Sequence, residues 1–569
     1  MDQMNQFYLK VIRHKNHFLF EIVIFAQLIV LASVFGIAFA QEKSPSATAQ
    51  PADKSKTEID RLRLLCEKSK NAVLTPAKSK QVHKKVLEEN ASQDLSPSKE
   101  DIVRFFDALP GLVSDYQASP DMVKTNALAE AIRYAETCHA TELSGYLRAL
   151  LVKPNFYVQV RAPLLSPLFE REIDEPVMVN DDILGTRMHG KGTLTGSTSV
   201  SFIPNENQAV VRVIMRGEVK TNTVGSNGPA RTHSNNVSTT STTKDLIIKP
   251  SGVAAKQAVT HVDMKSTINR IETTRGGPLV QNIVPNAVYK RKPATEAESK
   301  RLTAQKINAR VDKEVDKGIT ELNEKWGQLP GQPGADDEMT VLLSGFSTTD
   351  RELRFHGIAS GKSIPTVVAE APKVECDADL FVQVHQSSIN NTALCGLGGK
   401  SFQEDAVIAD LKKQYPKLIE KLLESKSPDE SPLNISFAEI PVDVSFADNK
   451  INVKIETSAI ERDGREYPGM QLLFQFKIEN RDGTFQLVAV EQPEVFPLGF
   501  DPEKDKMSAR ETTIRTVMMR RLEKITEKPI ELKETTIEDK NGTLVIKPVH
   551  ISTENGWFSI GYEKVNSEQ

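Results

Sequence analysis

Residues 395 to 401, Cys395-Gly396-Leu397-Gly398-Gly399-Lys400-Ser401, have the types that could wrap a phosphate: glycines free the backbone amides, and Lys-Ser could serve phosphate and magnesium. That pattern needs a glycine at position 394, where the chain has Leu394, so the run reads as a Gly-rich turn capping a following helix. His189-Gly190-Lys191-Gly192 with Gly196 is looser still, and its strand-like neighbours suggest a bent hairpin at a sheet edge. The histidines beyond the first forty residues are His83, His139, His189, His233, His261, His356, His385 and His550. They form neither His-x-His nor His-Glu-x-x-His, so no metal site is expected. His385 directly follows a strand and is expected to play a structural surface role. No Gly-x-Ser-x-Gly elbow marks an esterase. The acidic pairs Asp181-Asp182, Asp336-Asp337 and Glu404-Asp405 could supply a general acid and base, but in a chain with 76 acidic residues such pairs belong to loops and helix starts. No catalytic residue and no cofactor are expected, and the chain is not expected to be an enzyme.

Four cysteines in an exported chain would make two disulfides. The expected pairing is local, Cys66 with Cys138 and Cys376 with Cys395, with free buried thiols as the alternative.

These residues sit on elements that are written twice. Tyr157-Val158-Gln159-Val160 returns as Phe381-Val382-Gln383-Val384, and Val200-Ser201-Phe202 as Val444-Ser445-Phe446. Ala309-Arg310 returns as Ala509-Arg510. Phe346-Ser347-Thr348, with His356-Gly357 downstream, returns as Ile551-Ser552-Thr553 with Ile560-Gly561. The shared order implies a duplicated module. Each copy alternates apolar and polar residues with hairpin turns at 204–207, 447–450 and 480–483. Each then carries an amphipathic helix. Its stripe is Ile307, Val311, Val315, Ile319, Leu322 and Trp326 in the first copy, and Ile514, Val517, Met518, Leu522 and Ile525 in the second. These residues are either core or the lining of an apolar-ligand groove. The Ser, Thr and Asn-rich stretch from Lys220 to Lys244 reads as polar, exposed strands, with a mobile loop as the alternative, and Phe402 to Lys426 as an extra helix opened by Ser401-x-x-Glu404. Trp326 and Trp557 are expected as core anchors.

A chain of 569 residues with 39% hydrophobic and 26% charged residues is too long for one core, and its composition is that of a globular protein. The fold class expected is α+β: an N-terminal helical domain at 59–153, then two tandem copies of an antiparallel β-meander packed on a long amphipathic helix, at 154–372 and 373–569. Basic residues Lys10, Arg13 and Lys15, the apolar run Ile22 to Ala40 and the small residues around Ala40 read as a signal peptide at 1–40, cut before Gln41. An uncleaved anchor is the alternative. A Pro, Ser and Ala-rich linker at 41–58 follows. The chain is thus expected in the periplasm or outside the cell, with no stable membrane span once the signal is removed. A net charge of −4 argues against nucleic acid as a partner.

In the order of its elements, two meanders each followed by a long amphipathic helix, the region from 154 to 569 resembles the tubular lipid-binding superfamily. The resemblance implies an elongated shell around an acyl chain or another apolar ligand. Residues alone favour an exported structural or interaction protein engaging an envelope partner, with lipid carriage second and hydrolysis third. An open tunnel beneath the helix stripes would favour lipid; a filled core would favour interaction.

Overall fold

The computed structural model describes residues 52–73, 99–138, 140–169, 171–273, 278–326, 340–360, 364–366, 370–404, 431–526, 529–539 and 542–565. The expected signal segment, residues 41–51 of the expected linker, and most of the helix expected at 402–426 lie outside them.

Apolar residues three and four apart build the first domain. Helices α1 (Ala52–Val73), α2 (Lys99–Ala118), α3 (Met122–Thr137) and α4 (Thr141–Leu151) turn one stripe each inward. Leu62, Phe106, Leu109, Leu128, Ile132, Leu143 and Leu147 form its core. Asp121 caps α3 by accepting from the Lys124 amide at 2.7 Å. Helix α1 starts at Ala52, so the last part of the stretch read as linker is helical. Cys66 on α1 and Cys138 at the end of α3 lie in this core as free thiols, against the expected disulfide. Burial pushes Cys66 up to about 12 and Cys138 up to about 11. Apolar packing, rather than a cross-link, closes the domain.

The first copy contributes β1 (Phe156–Arg161), α5 (Ala162–Phe169), β2 (Arg171–Ile183), β3 (Thr186–Phe202), β4 (Ala209–Asn227), β5 (Ala230–Lys249), β6 (Gly252–Ala255), β7 (Val259–Thr273), α6 (Pro278–Trp326), β8 (Thr340–Thr348) and β9 (Glu352–Ser360). The second contributes β10 (Leu380–His385), α7 (Gln386–Leu397), β11 (Ser401–Gln403), β12 (Asn434–Ala447), β13 (Lys450–Arg462), β14 (Arg465–Pro468), β15 (Met470–Arg481), β16 (Thr484–Ala489), β17 (Glu494–Pro497), α8 (Ala509–Thr526), β18 (Ile530–Leu532), β19 (Thr535–Asp539), β20 (Gly542–Glu554) and β21 (Trp557–Lys564).

A seven-stranded antiparallel sheet, in the order β19-β20-β21-β10-β1-β9-β8, joins the copies. Its middle is the repeated Val-Gln-Val strand paired with itself, Val158 opposite Val382. On either side the order is mirrored, β9 and β8 answering β21 and β20. Even the irregularity repeats: a register shift falls between Leu343 and Gly345 in β8 and between Pro548 and His550 in β20. The registers correct the sequence pairing by one residue, since His356 opposes Tyr157 as Gly561 opposes Phe381, making His356 rather than Gly357 the counterpart of Gly561.

The two outer sheets repeat the same meander. Val200 pairs with Val213 between β3 and β4, and Val444 with Val453 between β12 and β13. Side chains from all three sheets, including Val158, Phe202, Phe355, Val382, Val444 and Phe474, form one core. Trp557 is fully buried, and half-buried Trp326 packs on the same core while donating to the Pro250 carbonyl at 3.1 Å. Both act as anchors.

The copies differ in length. Strands β4 and β5 run 19 and 20 residues where β13 and β15 run 13 and 12, and α6 runs 49 residues against 18 in α8. Aligned at their last residues, Trp326 and Thr526, the helices superpose Ala309 on Ala509, so α6 is the α8 helix extended at its N-terminal end. The first module thus projects well beyond the shared core.

Three sequence expectations change here. Gly398 and Gly399 end α7 instead of opening a helix, and Lys400 donates to the Cys395 carbonyl at 2.8 Å. A helix C-terminus presents carbonyls, which attract cations and repel phosphate. Ser401 and Phe402 belong to β11, paired with Ser436 and Ile435, so no capping box stands there. No disulfide joins Cys376 and Cys395 either: Cys376 abuts β21 at Gly561, whereas Cys395 rides the last turn of α7, which packs on β9 and β12. Closeness in sequence is offset by attachment to different elements.

Candidate functional site

The projecting part of the first module is a curled sheet with a helix laid along its opening. Inward positions of β3 are Met188, Gly190, Gly192, Leu194 and Gly196, alternating with exposed residues. A β-carbon at Gly190, Gly192 or Gly196 would come within 2.2, 1.9 or 2.3 Å of a β4 carbonyl oxygen. Only glycine lets β3 and β4 curl this tightly. The His-Gly-Lys-Gly run is therefore the crease of the sheet, paired on both sides with β2 and β4, and not an edge hairpin.

Beneath α6 the curl leaves a cavity of about 970 Å3, at the upper end of small-molecule sites. One wall is apolar, with Ile173 and Val177 from β2, Leu194 from β3 and Val219 from β4. The lid is the stripe of α6, including Val288, Leu302, Ile307 and Val311. Facing these is a ladder from β5: Ser234, Asn236, Ser238, Thr240 and Thr242. Its polar atoms are largely engaged within the sheet. Asn236 donates to Thr223 at 2.9 Å, Thr240 to the Gly217 carbonyl at 3.2 Å, and the Thr242 and Thr260 hydroxyls pair at 2.9 Å. So the Ser, Thr and Asn stretch forms strands, as expected, but its alternate residues are buried in the groove instead of exposed.

Polar contacts hold α6 along one rim. Lys244, 3% exposed, donates to Asp312 at 2.6 Å, and Asp312 also accepts from the Ala258 amide at 2.8 Å. Burial raises the Asp312 carboxyl, but the Lys244 and Ala258 donors outweigh it and hold the group below its usual range. Asn323 grips Val253, accepting from its amide and donating to its carbonyl, both at 2.8 Å. Farther out, Glu296 accepts from the Ser266 amide at 3.0 Å and Lys300 pairs with Asp263 at 2.8 Å. On the other rim α6 touches β2 lightly, and the Lys306–Asp181 ion pair crosses the gap. Asp182 accepts from the Gly185 amide of the adjoining turn at 3.0 Å. This acidic pair is structural.

The helix stripes divide between the two roles left open. Ile307 and Val311 line the groove, while Ile319, Leu322 and Trp326 pack on the shared core and Val315 is half-buried between them. Under α8, Ile514, Met518 and Leu522 are buried in the core with Val517 against it. The Ile525 side chain lies outside the described residues. The outer half of the longer helix covers a space; the shorter helix covers a filled core.

His385 is not on the surface. It caps α7, its Nδ1 accepting from the Ser387 amide at 3.2 Å, and its ring meets Trp557 edge-on. Burial pushes it down to about 3, so it is neutral at pH 7. Among the described residues no three His, Cys, Asp or Glu side chains are grouped to hold a metal, and no helix is long and apolar enough to cross a membrane.

Sequence reasoning missed that the β5 ladder lines a cavity and that the β3 glycines form the crease of the sheet around it. Period-two placement of Ser and Thr through 234–242, and glycines at 190, 192 and 196, all of one parity, were the signals for one inward face.

No family model and no curated protein matches the chain. Solved structures similar to it include lipopolysaccharide binding protein, at 10% identity and TM-score 0.29, covering 74% of this chain and all of that one. Another is P47 of Clostridium botulinum E1, at 10% identity and TM-score 0.22, covering 72% and 99%. What the groove does follows from its own residues.

Proposed function

We propose that this protein binds a lipid or other long apolar ligand in the groove of its first module. The observation that carries this reading is the cavity of about 970 Å3 under α6, with an apolar wall at Ile173, Val177, Leu194 and Val219, an apolar stripe on the covering helix, and a floor of internally bonded Ser and Thr residues. A void of that size lined by Leu, Ile and Val lacks packing contacts that an apolar ligand would restore. The tubular lipid-binding resemblance points the same way, so lipid carriage moves ahead of the structural or envelope-interaction role favoured by residues alone. Binding, rather than catalysis, is the activity proposed: Asp181, Glu296, Lys306 and Asp312 around the groove are engaged in ion pairs or amide bonds. Export belongs to the same reading, with Gln41 as the first residue of the mature chain.

Native mass spectrometry of protein purified gently from its own host, followed by solvent extraction, tests both points. The expected result is a stoichiometric extra mass released as lipid, an N-terminus at Gln41, and loss of the extra mass in Leu194→Trp, whose indole would occupy the groove. A bare protein mass that persists after incubation with host lipids would overturn the binding role.

A further inference from the structure

The N-terminal part of α6 is held differently from the rest of the helix. Among the described residues, the polar ties from α6 to the sheets fall at Glu296 or beyond, from the Ser266 amide on Glu296 to Trp326 on the Pro250 carbonyl. Before that point the helix turns Val284, Ala287 and Val288 to the groove. Pro293 stands at the boundary. It has no amide to donate to the Tyr289 carbonyl, and its ring crowds the preceding turn, so the helix bends most easily there. The next turns add side-chain bonds of the kind that bend helices: the Thr295 hydroxyl donates to the Arg291 carbonyl at 3.1 Å, and that of Ser299 to the Thr295 carbonyl at 2.7 Å. This weakly tied part covers the outer end of the groove, where Leu184 of the β2–β3 turn and Pro229 of the β4–β5 turn also line it.

We infer that residues 283–293 form a hinged flap whose outer face rests on an anionic membrane surface and opens the outer end of the groove to lipid there. This rests on the groove reading and adds the surface with which the ligand is exchanged. At about 3.6 residues per turn, Val284, Val288 and Arg291 share the groove side of the helix, while Ile283, Asn286, Tyr289 and Lys290 share the opposite side. Those four are exposed, Ile283 at 63% and Tyr289 at 56%, and Leu184 across the end of the groove is 57% exposed. The flap contains Lys290-Arg291-Lys292 and no Asp or Glu, in a chain whose net charge is −4. Lys292 also reaches Glu296 at 3.6 Å, one turn along the helix. Exposed apolar side chains beside a run of cations fit the boundary between headgroups and acyl chains, where the apolar groups enter and the cations meet lipid phosphates. A long apolar ligand resides in bilayers rather than in water, so the end of the groove through which it passes has reason to face one.

The test floats the protein, purified from its own host, with vesicles of phosphatidylcholine alone or of phosphatidylcholine and phosphatidylglycerol, and follows transfer of a pyrene-labelled phospholipid between donor and acceptor vesicles. Wild type is expected to bind the anionic vesicles about tenfold more tightly than the neutral ones, and to lose that preference in high salt. The triple variant Ile283→Ser, Tyr289→Ser, Lys290→Glu changes three side chains that do not line the cavity. It should keep its groove-bound lipid by native mass spectrometry, which also shows that it folds, while vesicle binding and transfer each fall about tenfold. Pro293→Ala should dock as wild type does and transfer lipid several times more slowly, because its helix bends less readily. Equal binding of wild type to both vesicles, or unchanged binding by the triple variant, overturns the membrane surface and leaves the groove standing. Transfer by Pro293→Ala at the wild-type rate overturns the hinge. Absence of bound lipid from wild type, before and after incubation with vesicles, overturns the groove and this inference with it.

Discussion

Val158 and Val382, counterparts in the duplicated sequence, lie directly opposite each other in adjacent antiparallel strands. A pseudo-twofold axis therefore passes between them, and the remaining strands of the central sheet are arranged about it. Across that axis a histidine and a glycine have changed places. In the first copy Gly345 of β8 faces His356 of β9; in the second, His550 of β20 faces Gly561 of β21. The same glycine–histidine pairing stands in both strand pairs, with the strands that supply them exchanged. A β-carbon at Gly345 would lie 2.3 Å from the His356 ring.

This exchange predicts strong coupling. Gly345→His alone should cost about 1–3 kcal/mol through overpacking, and Gly345→His with His356→Gly should recover most of that loss. Urea unfolding of the two singles and the double measures it; additive effects would refute the compensation.

Acid should unfold the protein from below neutrality. His385 is held at about 3 against an ordinary 6.5, so between these values the unfolded chain binds a proton that the folded one refuses. Stability then rises with pH across that window and is lost as pH falls through it, by about 1.4 kcal/mol per pH unit. Burial lowers His356 and His550 in the same direction. His385→Asn, which keeps an N-cap acceptor for α7, should flatten this limb in thermal melts taken from pH 7 to pH 4.

The Lys244–Asp312 pair ties α6 to β5. Lys244→Met should destabilise by about 3 kcal/mol, since it strands a carboxylate beside the groove. Adding Asp312→Asn should recover part of the loss, because the amide oxygen still accepts from Ala258. Denaturant midpoints of the single and double variants check this.

All four thiols should be free. Intact mass after alkylation under denaturing, non-reducing conditions should show four adducts. In the native protein Cys66 and Cys138 should react roughly a hundredfold more slowly than a free cysteine at pH 8, because burial suppresses their thiolates. Two missing adducts, with a further loss of two hydrogens, for each disulfide would overturn the assignment.

Local patterning determined a great deal from the residues alone. Helical spacing of Leu62, Leu65 and Leu128 marked the first domain, and alternation around Val200, Val444 and Leu472 marked hairpins. Recurring anchors marked the duplication. Period and turn chemistry act between neighbours in the chain, so they are written there. Which of the repeated strands pair was not. That Val158 meets Val382, and that Gly561 answers His356 instead of Gly357, depends on strand register in a sheet assembled from both copies. The groove was hidden for the same reason. Ile307 and Ile514 have equal claims to a core by spacing, and only the longer strands and crease glycines of the first module lift α6 away from a filled interior. Whether an apolar stripe covers space or packing is decided by what lies across from it, often more than a hundred residues distant; tertiary structure alone brings Val177, Leu194 and Arg310 to the lining of one cavity.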